Sequence, residues 1–230
     1  MDRLVNSHLS GDDFETLGAE FLSWIRTYLD DAESRSIGPN VAPGDVRAAL
    51  PSAPPQTGED LANVFKDLDS IIAPGLTHWQ HPSWFAYFPC NHSYPSILGE
   101  LVSAGLGIQG MLWETSPACT ELESHVMDWM LDALGLPEKF RTAPRNDPRG
   151  QCVGGGVIQD TASSGVLCAL VAARDRATGG AAGQDGLRAC PPLVAYTSDQ
   201  AHSSVEKACV VAGLGRSALR LIPTDDEVRM

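Results

Sequence analysis

Lysine is scarce in this chain: Lys66, Lys139 and Lys207 are the only three among 230 residues, and 16 Lys plus Arg face 29 Asp plus Glu. The resulting net charge of −13 leaves no basic stripe to displace counterions from a phosphate backbone, so nucleic acid is not an expected partner. No apolar run approaches the ~20 residues that span a bilayer, and no membrane partner is read. The start, Met1 to His8, lacks the apolar core of a secretory signal. Six cysteines (Cys90, Cys119, Cys152, Cys168, Cys190, Cys209) form no CxxC pair, which reads as the reduced thiols of a cytoplasmic protein. There is no Gly-x-Ser-x-Gly elbow, which argues against a serine hydrolase. His78, His81, Cys90 and His92 have suggestive spacings, but no second ligand pair follows and Pro82 and Pro89 interrupt them. No metal site is assigned.

With 43% hydrophobic and 20% charged residues, the chain has the composition of a globular protein with ample core. Its most informative stretch is Leu193 to Ser204, where an apolar run reads as a buried strand and delivers His202 into a polar turn opening a helix. A second unit of this kind lies upstream. Gly154 to Gln159 reads as a strand entering Asp160-Thr161-Ala162-Ser163-Ser164, and a helix of small apolar residues follows. Free amides and hydroxyls at a helix start suit a phosphate. An anion turn and an imidazole, both at strand ends of an open sheet, point to a phosphorylated aromatic cofactor between them. Simple N-capping is the alternative for Thr161 and Ser163, and a helix-capping or core imidazole for His202.

Ser10 to Asp13 reads as a cap with an acidic first turn, followed by Phe14, Leu17, Phe21, Trp24, Ile25 and Tyr28 at helical spacing. That wide aromatic face predicts docking on another subunit or on the body of the fold. After a Pro-rich connection over 31–58, Thr57 to Asp60 is expected to cap a second helix that Pro74 stops. Thr77 to Pro89 is an irregular aromatic stretch, costly unless it is buried against a partner or ligand. Helices are then expected from about Pro95 to Gly105 and from Ser116 to Gly135, the second with Leu122, Val126, Trp129, Met130 and Leu134 on one face. His125 reads as a solvent-face residue. From Gly154 the pattern is strand 154–159, helix 162–176, strand 193–197, helix 202–213, strand 218–222, with a surface loop over 178–190. This alternation predicts α/β architecture with a parallel sheet.

Several segments together resemble the group II pyridoxal phosphate-dependent decarboxylases, and among them the aromatic-L-amino-acid decarboxylases. They are Pro74 to Pro82, Phe85 to Pro89, Ser93 to Pro95, Ser116 to Glu123, Gly154 to Gln159 and Ser198 to Lys207. The resemblance implies a fold-type I large domain over 76–230, with its remainder and C-terminal domain lying outside the chain, preceded by a helical dimerisation segment over 1–75. It implies pyridoxal phosphate as cofactor, a homodimer in the complete enzyme, and an aromatic amino acid as substrate. By motif, Thr161, Ala162 and Ser163 bind the phosphate, and His202 stacks on the cofactor ring near the substrate carboxylate. Trp79, Tyr87, Phe88, Pro89 and Cys90 line the substrate side chain. Ordinary core packing is the alternative for Tyr87 and Phe88.

Three departures bear on function. Cys90 stands where animal relatives carry a hydroxyl residue, and a thiol is the weaker donor. Asp160, Thr161 and Ser164 differ from the animal pattern around the retained Ala-Ser core. The Asn-Pro-His-Lys segment, whose lysine holds the cofactor covalently, does not occur. The chain therefore reads as the N-terminal part of a carboxy-lyase, inactive and unstable alone. Group II decarboxylation of another amino acid, aromatic aldehyde synthesis, and a non-catalytic dimerisation module are the alternatives.

Overall fold

A computed structural model describes residues 9–54, 56–57, 60–88, 92–144, 147 and 154–230. The chain divides into two compact units, Met1–Val102 and Ser103–Met230.

In the first unit, α1 (Gly11–Asp30) starts at the expected cap. Ser10 Oγ accepts from the Asp13 N–H at 3.1 Å, and the Asp13 carboxylate accepts from Ser10 N–H at 3.3 Å and from its hydroxyl at 2.6 Å. These bonds favour the ionised carboxylate and hold its pKa below the ordinary range. After α2 (Asp45–Ala49) comes α3 (Leu61–Asp67), which continues as a π-helical turn over Leu68–Ile72. Within the expected capping segment Thr57 to Asp60, the residue that caps α3 is Asp60, whose Oδ1 accepts from the Ala62 N–H at 2.9 Å. Phe21 meets Phe65 edge-on at 4.1 Å, joining α1 to α3. Helix α4 (Tyr94–Leu106) opens with Pro95 in its first turn, as expected.

In the second unit, α5 (Pro117–Ala133) is capped by Ser116 and ends before Gly135, whose φ is +64°. On its apolar face Leu122, Trp129, Met130 and Leu134 are exposed, and Leu131 is the buried residue of the helix. His125 is exposed, edge-on to Trp129. Below α5, the buried Arg141 ties the turn Glu138–Phe140 to the helix. It bonds Glu138 at 2.8 Å, pairs with Asp132, and lies 3.7 Å from Asp128.

The strand expected over 154–159 does not form. Gly155 donates to the Phe140 carbonyl at 2.9 Å, and a Cβ on Gly154 would lie 2.6 to 2.8 Å from backbone atoms of residues 139–141. A strand exists only where a ladder partner runs beside it, and here the backbone presses instead on an irregular turn. Helix α6 (Ala162–Ala177) follows, then α7 (Ala181–Asp185) and a 3-10 turn at Leu187–Ala189, inside the segment expected to be loop. The chain continues through β1 (Ala195–Ser198), α8 (Ser204–Val211) and β2 (Leu219–Ile222). β1 and β2 pair in parallel, Ala195 with Leu219 through Ser198 with Ile222. The β-α-β expectation holds, although β1 is not fully buried and Tyr196 faces solvent. Ala208, Cys209, Ala212 and Ala218 form the local core, and burial raises the Cys209 thiol pKa.

Candidate cofactor and substrate site

Unit two carries the polar candidate residues. At the start of α6, Thr161 Oγ1 accepts from the Ser164 N–H at 3.2 Å, and Ser164 Oγ accepts from the Thr161 N–H at 3.1 Å. The Asp160 carboxylate accepts from the Ser164 hydroxyl. Thr161 and Ser164 thus spend their polar groups on a capping box. Helix geometry leaves the N–H groups of Ala162 and Ser163 without intrahelical acceptors, and both residues are exposed. With the positive end of the helix dipole behind them, they face solvent as anion donors.

His202 occupies the turn before α8. Its Nδ1 accepts from the Ser204 N–H at 3.2 Å and lies 3.0 Å from the Ser204 hydroxyl. That bond fixes the ring and, in the neutral imidazole, puts the proton on Nε2. The capping alternative and an exposed, available ring are therefore compatible, because Ser204 is buried whereas His202 is exposed. Asp199 accepts from the Thr224 hydroxyl at 3.0 Å, acting as a turn carboxylate between the two strand ends.

Helices α6 and α8 pack together. Arg174, in the last turn of α6, donates to the Ala212 carbonyl just beyond α8 at 2.8 Å. The two C-terminal ends are therefore neighbours.

Unit one carries the apolar candidate residues. Trp79 and Tyr87 stack at 5.9 Å with 27° between their rings, and Trp84 lies 5.4 Å from Trp79. Trp79 is 41% exposed, Tyr87 84% and Phe88 97%, so neither Tyr87 nor Phe88 is ordinary core. Tyr87 has φ +57°, a left-handed conformation that a bulky side chain adopts only when its surroundings impose it. Pro89 and Cys90 lie outside the described residues. Trp84 was not singled out by the sequence reading, since an irregular loop has no periodicity to mark which rings meet. His78 and Tyr28 also form a buried pair that residue spacing alone does not reveal.

Residues 43–230 match the pyridoxal-dependent decarboxylase conserved domain. The chain belongs to the pyridoxal-dependent decarboxylase family. It is 41% identical over 226 residues to aromatic-L-amino-acid decarboxylase of Bos taurus, covering 96% of this chain and 45% of that protein. It is also 41% identical over 223 residues to histidine decarboxylase of Mus musculus, covering 93% and 32% respectively. The crystal structure of Oryza sativa TDC with PLP superposes with a TM-score of 0.86 at 36% identity, covering 99% of this chain and 46% of that one. The fold is that of the group II decarboxylases, an α/β architecture as expected. The chain spans under half the length of these relatives.

The residues at α6 fit the family's cofactor. Its phosphate needs unpaired donors at a helix start, and Ala162 and Ser163 supply them. Asp160 is the one opposing charge in that turn.

Proposed function

We propose that this chain is the N-terminal part of a pyridoxal phosphate-dependent carboxy-lyase that converts an aromatic L-amino acid to its amine. What supports this reading is the match of residues 43–230 to the pyridoxal-dependent decarboxylase domain, with the α6 start and the His202 turn carried by two helices that pack together. The Ala162 and Ser163 amides and the Ser163 hydroxyl hold the phosphate, and Thr161 shapes the turn through its capping box. His202 would lie against the cofactor ring and, with its Nδ1 engaged by Ser204, would present Nε2–H to the substrate carboxylate. Bound pyridoxal phosphate supplies an electron sink for the pair left behind when carbon dioxide departs.

Trp79, Tyr87, Phe88, Pro89 and Cys90 form the wall for the substrate side chain. The exposed rings of Trp79, Tyr87 and Phe88 support an aromatic substrate, because rings of this size left on a loop gain most from a flat apolar occupant. A thiol at position 90 favours unsubstituted rings over hydroxylated ones.

In this reading residues 1–75 are the helical dimerisation segment of a cytoplasmic homodimer, and 76–230 begin the large domain. Since none of Lys66, Lys139 and Lys207 follows a histidine, the chain alone does not turn over. The 41% identity to a histidine decarboxylase favours a second reading, in which the substrate is a different amino acid.

The test is product analysis on the complete enzyme loaded with pyridoxal phosphate and offered tryptophan, tyrosine, phenylalanine or histidine. Amine and carbon dioxide are expected, with kcat/KM for the best aromatic at least about tenfold above that for histidine. Preference for histidine supports the second reading. Aldehyde and peroxide in place of amine would assign an aldehyde synthase, and no turnover of any amino acid would leave a dimerisation module.

A further inference from the structure

Trp79 is partly exposed, yet the residue before it is among the most buried polar groups described in the chain. His78 is 5% exposed, and three of its groups are engaged. Its Nδ1 lies 2.6 Å from the Tyr28 hydroxyl, its N–H donates to the Ile37 carbonyl at 3.0 Å, and its carbonyl accepts from the His81 N–H at 2.9 Å. Tyr28 is fixed in turn. Its ring stacks on Trp24 at 5.4 Å, and the Arg35 guanidinium lies 4.5 Å from the ring centroid. The Trp24 indole donates to Asp69, in the π-helical turn, at 2.9 Å. A continuous set of contacts therefore runs from that turn through α1 to the backbone immediately before Trp79.

We propose that His78 is a positioning residue for the substrate wall: anchored to α1 through Tyr28, it fixes the backbone from which Trp79 presents its indole. This inference rests on the reading of Trp79 as part of that wall. Burial, with Arg35 and His81 nearby, disfavours the imidazolium and lowers the His78 pKa, so the anchor is a neutral hydrogen-bonded pair. Burial likewise raises the Tyr28 pKa, against the pull of Arg35, and keeps the phenol protonated. The Trp79 N–H closes a tight turn onto the Thr77 carbonyl at 3.0 Å. With the backbone pinned on both sides of its Cα, the indole is left to rest on Trp84 and Tyr87.

The test uses the complete enzyme with the variants His78→Ala, His78→Asn, Tyr28→Phe and Trp79→Ala, measuring KM and kcat for the best aromatic substrate and affinity for pyridoxal phosphate. Tyr28→Phe removes one hydroxyl and is expected to raise KM about fivefold, with kcat and cofactor affinity unchanged. His78→Ala raises KM by about tenfold or more, and His78→Asn, which restores an acceptor near the Nδ1 position, recovers most of the loss. If Trp79→Ala raises KM but Tyr28→Phe and His78→Ala do not, the positioning role is wrong and the wall stands. If Trp79→Ala also leaves KM unchanged, the wall reading itself fails. Equal losses in KM, kcat and cofactor affinity would mark His78 as merely structural and overturn the proposal. Should His78→Ala not fold, Tyr28→Phe alone decides.

Discussion

The two candidate regions, one in each unit, are built on opposite principles. In unit two, the α6 start and the His202 turn satisfy themselves locally, with capping bonds closed by residues two to four positions apart. What they leave unpaired is a small set of oriented donors. In unit one, the aromatic loop is held at its base by a buried histidine, whereas its tip carries exposed rings and a tyrosine at positive φ. A polar subsite is preorganised by short-range hydrogen bonds. An apolar wall stays unfinished until something covers it.

This contrast is open to attack from either side, and the largest effect should come from unit two. Replacing His202 by Ala removes the group proposed to face the substrate carboxylate and is expected to lower kcat by about 100-fold or more, read as carbon dioxide release from the complete enzyme. A kcat within twofold of the parent would separate His202 from the chemistry. In unit one, Trp79→Ala should act on KM and not on kcat, by about tenfold for an aromatic substrate. An effect on kcat alone would erase the distinction between the halves. A smaller change follows from Asp160→Asn, which removes the opposing charge beside the α6 amides. Pyridoxal phosphate should bind a few-fold tighter, with about 0.3–1 kcal/mol attributed to a charge near a helix terminus, and affinity for pyridoxal lacking the phosphate should not change.

The two halves should also differ in their response to acid. The His78 pKa is depressed in the folded state, so below the ordinary histidine value of about 6.5 the unfolded state takes up the proton more readily. The stabilisation from neutral His78 is full above about pH 6.5 and is lost as pH falls through the lower folded-state value. Hydrogen exchange should show the amides around 76–84 losing protection from pH 7 to pH 5 while those of α6 do not. Equal loss in both regions would contradict the buried-pair account.

Legibility in the sequence followed the range of the interactions. The Ser10 cap, the Ser116 start, the Gly135 stop and the helix after Thr161 were readable because each depends on residues within one turn. The β1-α8-β2 unit was readable for the same reason, with its strands placed to within about two residues. Residues 154–159 were misread because Val157-Ile158 has strand character, whereas the ladder partner is a long-range requirement and Gly154 is instead pressed against residues 139–141. The apolar stripe of α5 was legible in the sequence, whereas its exposure was not. Periodicity marks a face to be covered, but not what covers it. Neither the left-handed Tyr87 nor the pairing of Tyr28 with His78, fifty positions apart, leaves a local signature.

The central claim is that one ligand engages both the α6 amides and the His202 ring. It is tested most directly by equilibrium binding of pyridoxal phosphate and of pyridoxal to the complete enzyme and to its Ser163→Asp and His202→Ala variants. The account predicts that Ser163→Asp weakens pyridoxal phosphate strongly but barely affects pyridoxal, and that His202→Ala weakens both. If Ser163→Asp weakened both equally, or His202→Ala weakened neither, the phosphate seat and the ring seat would not belong to one site.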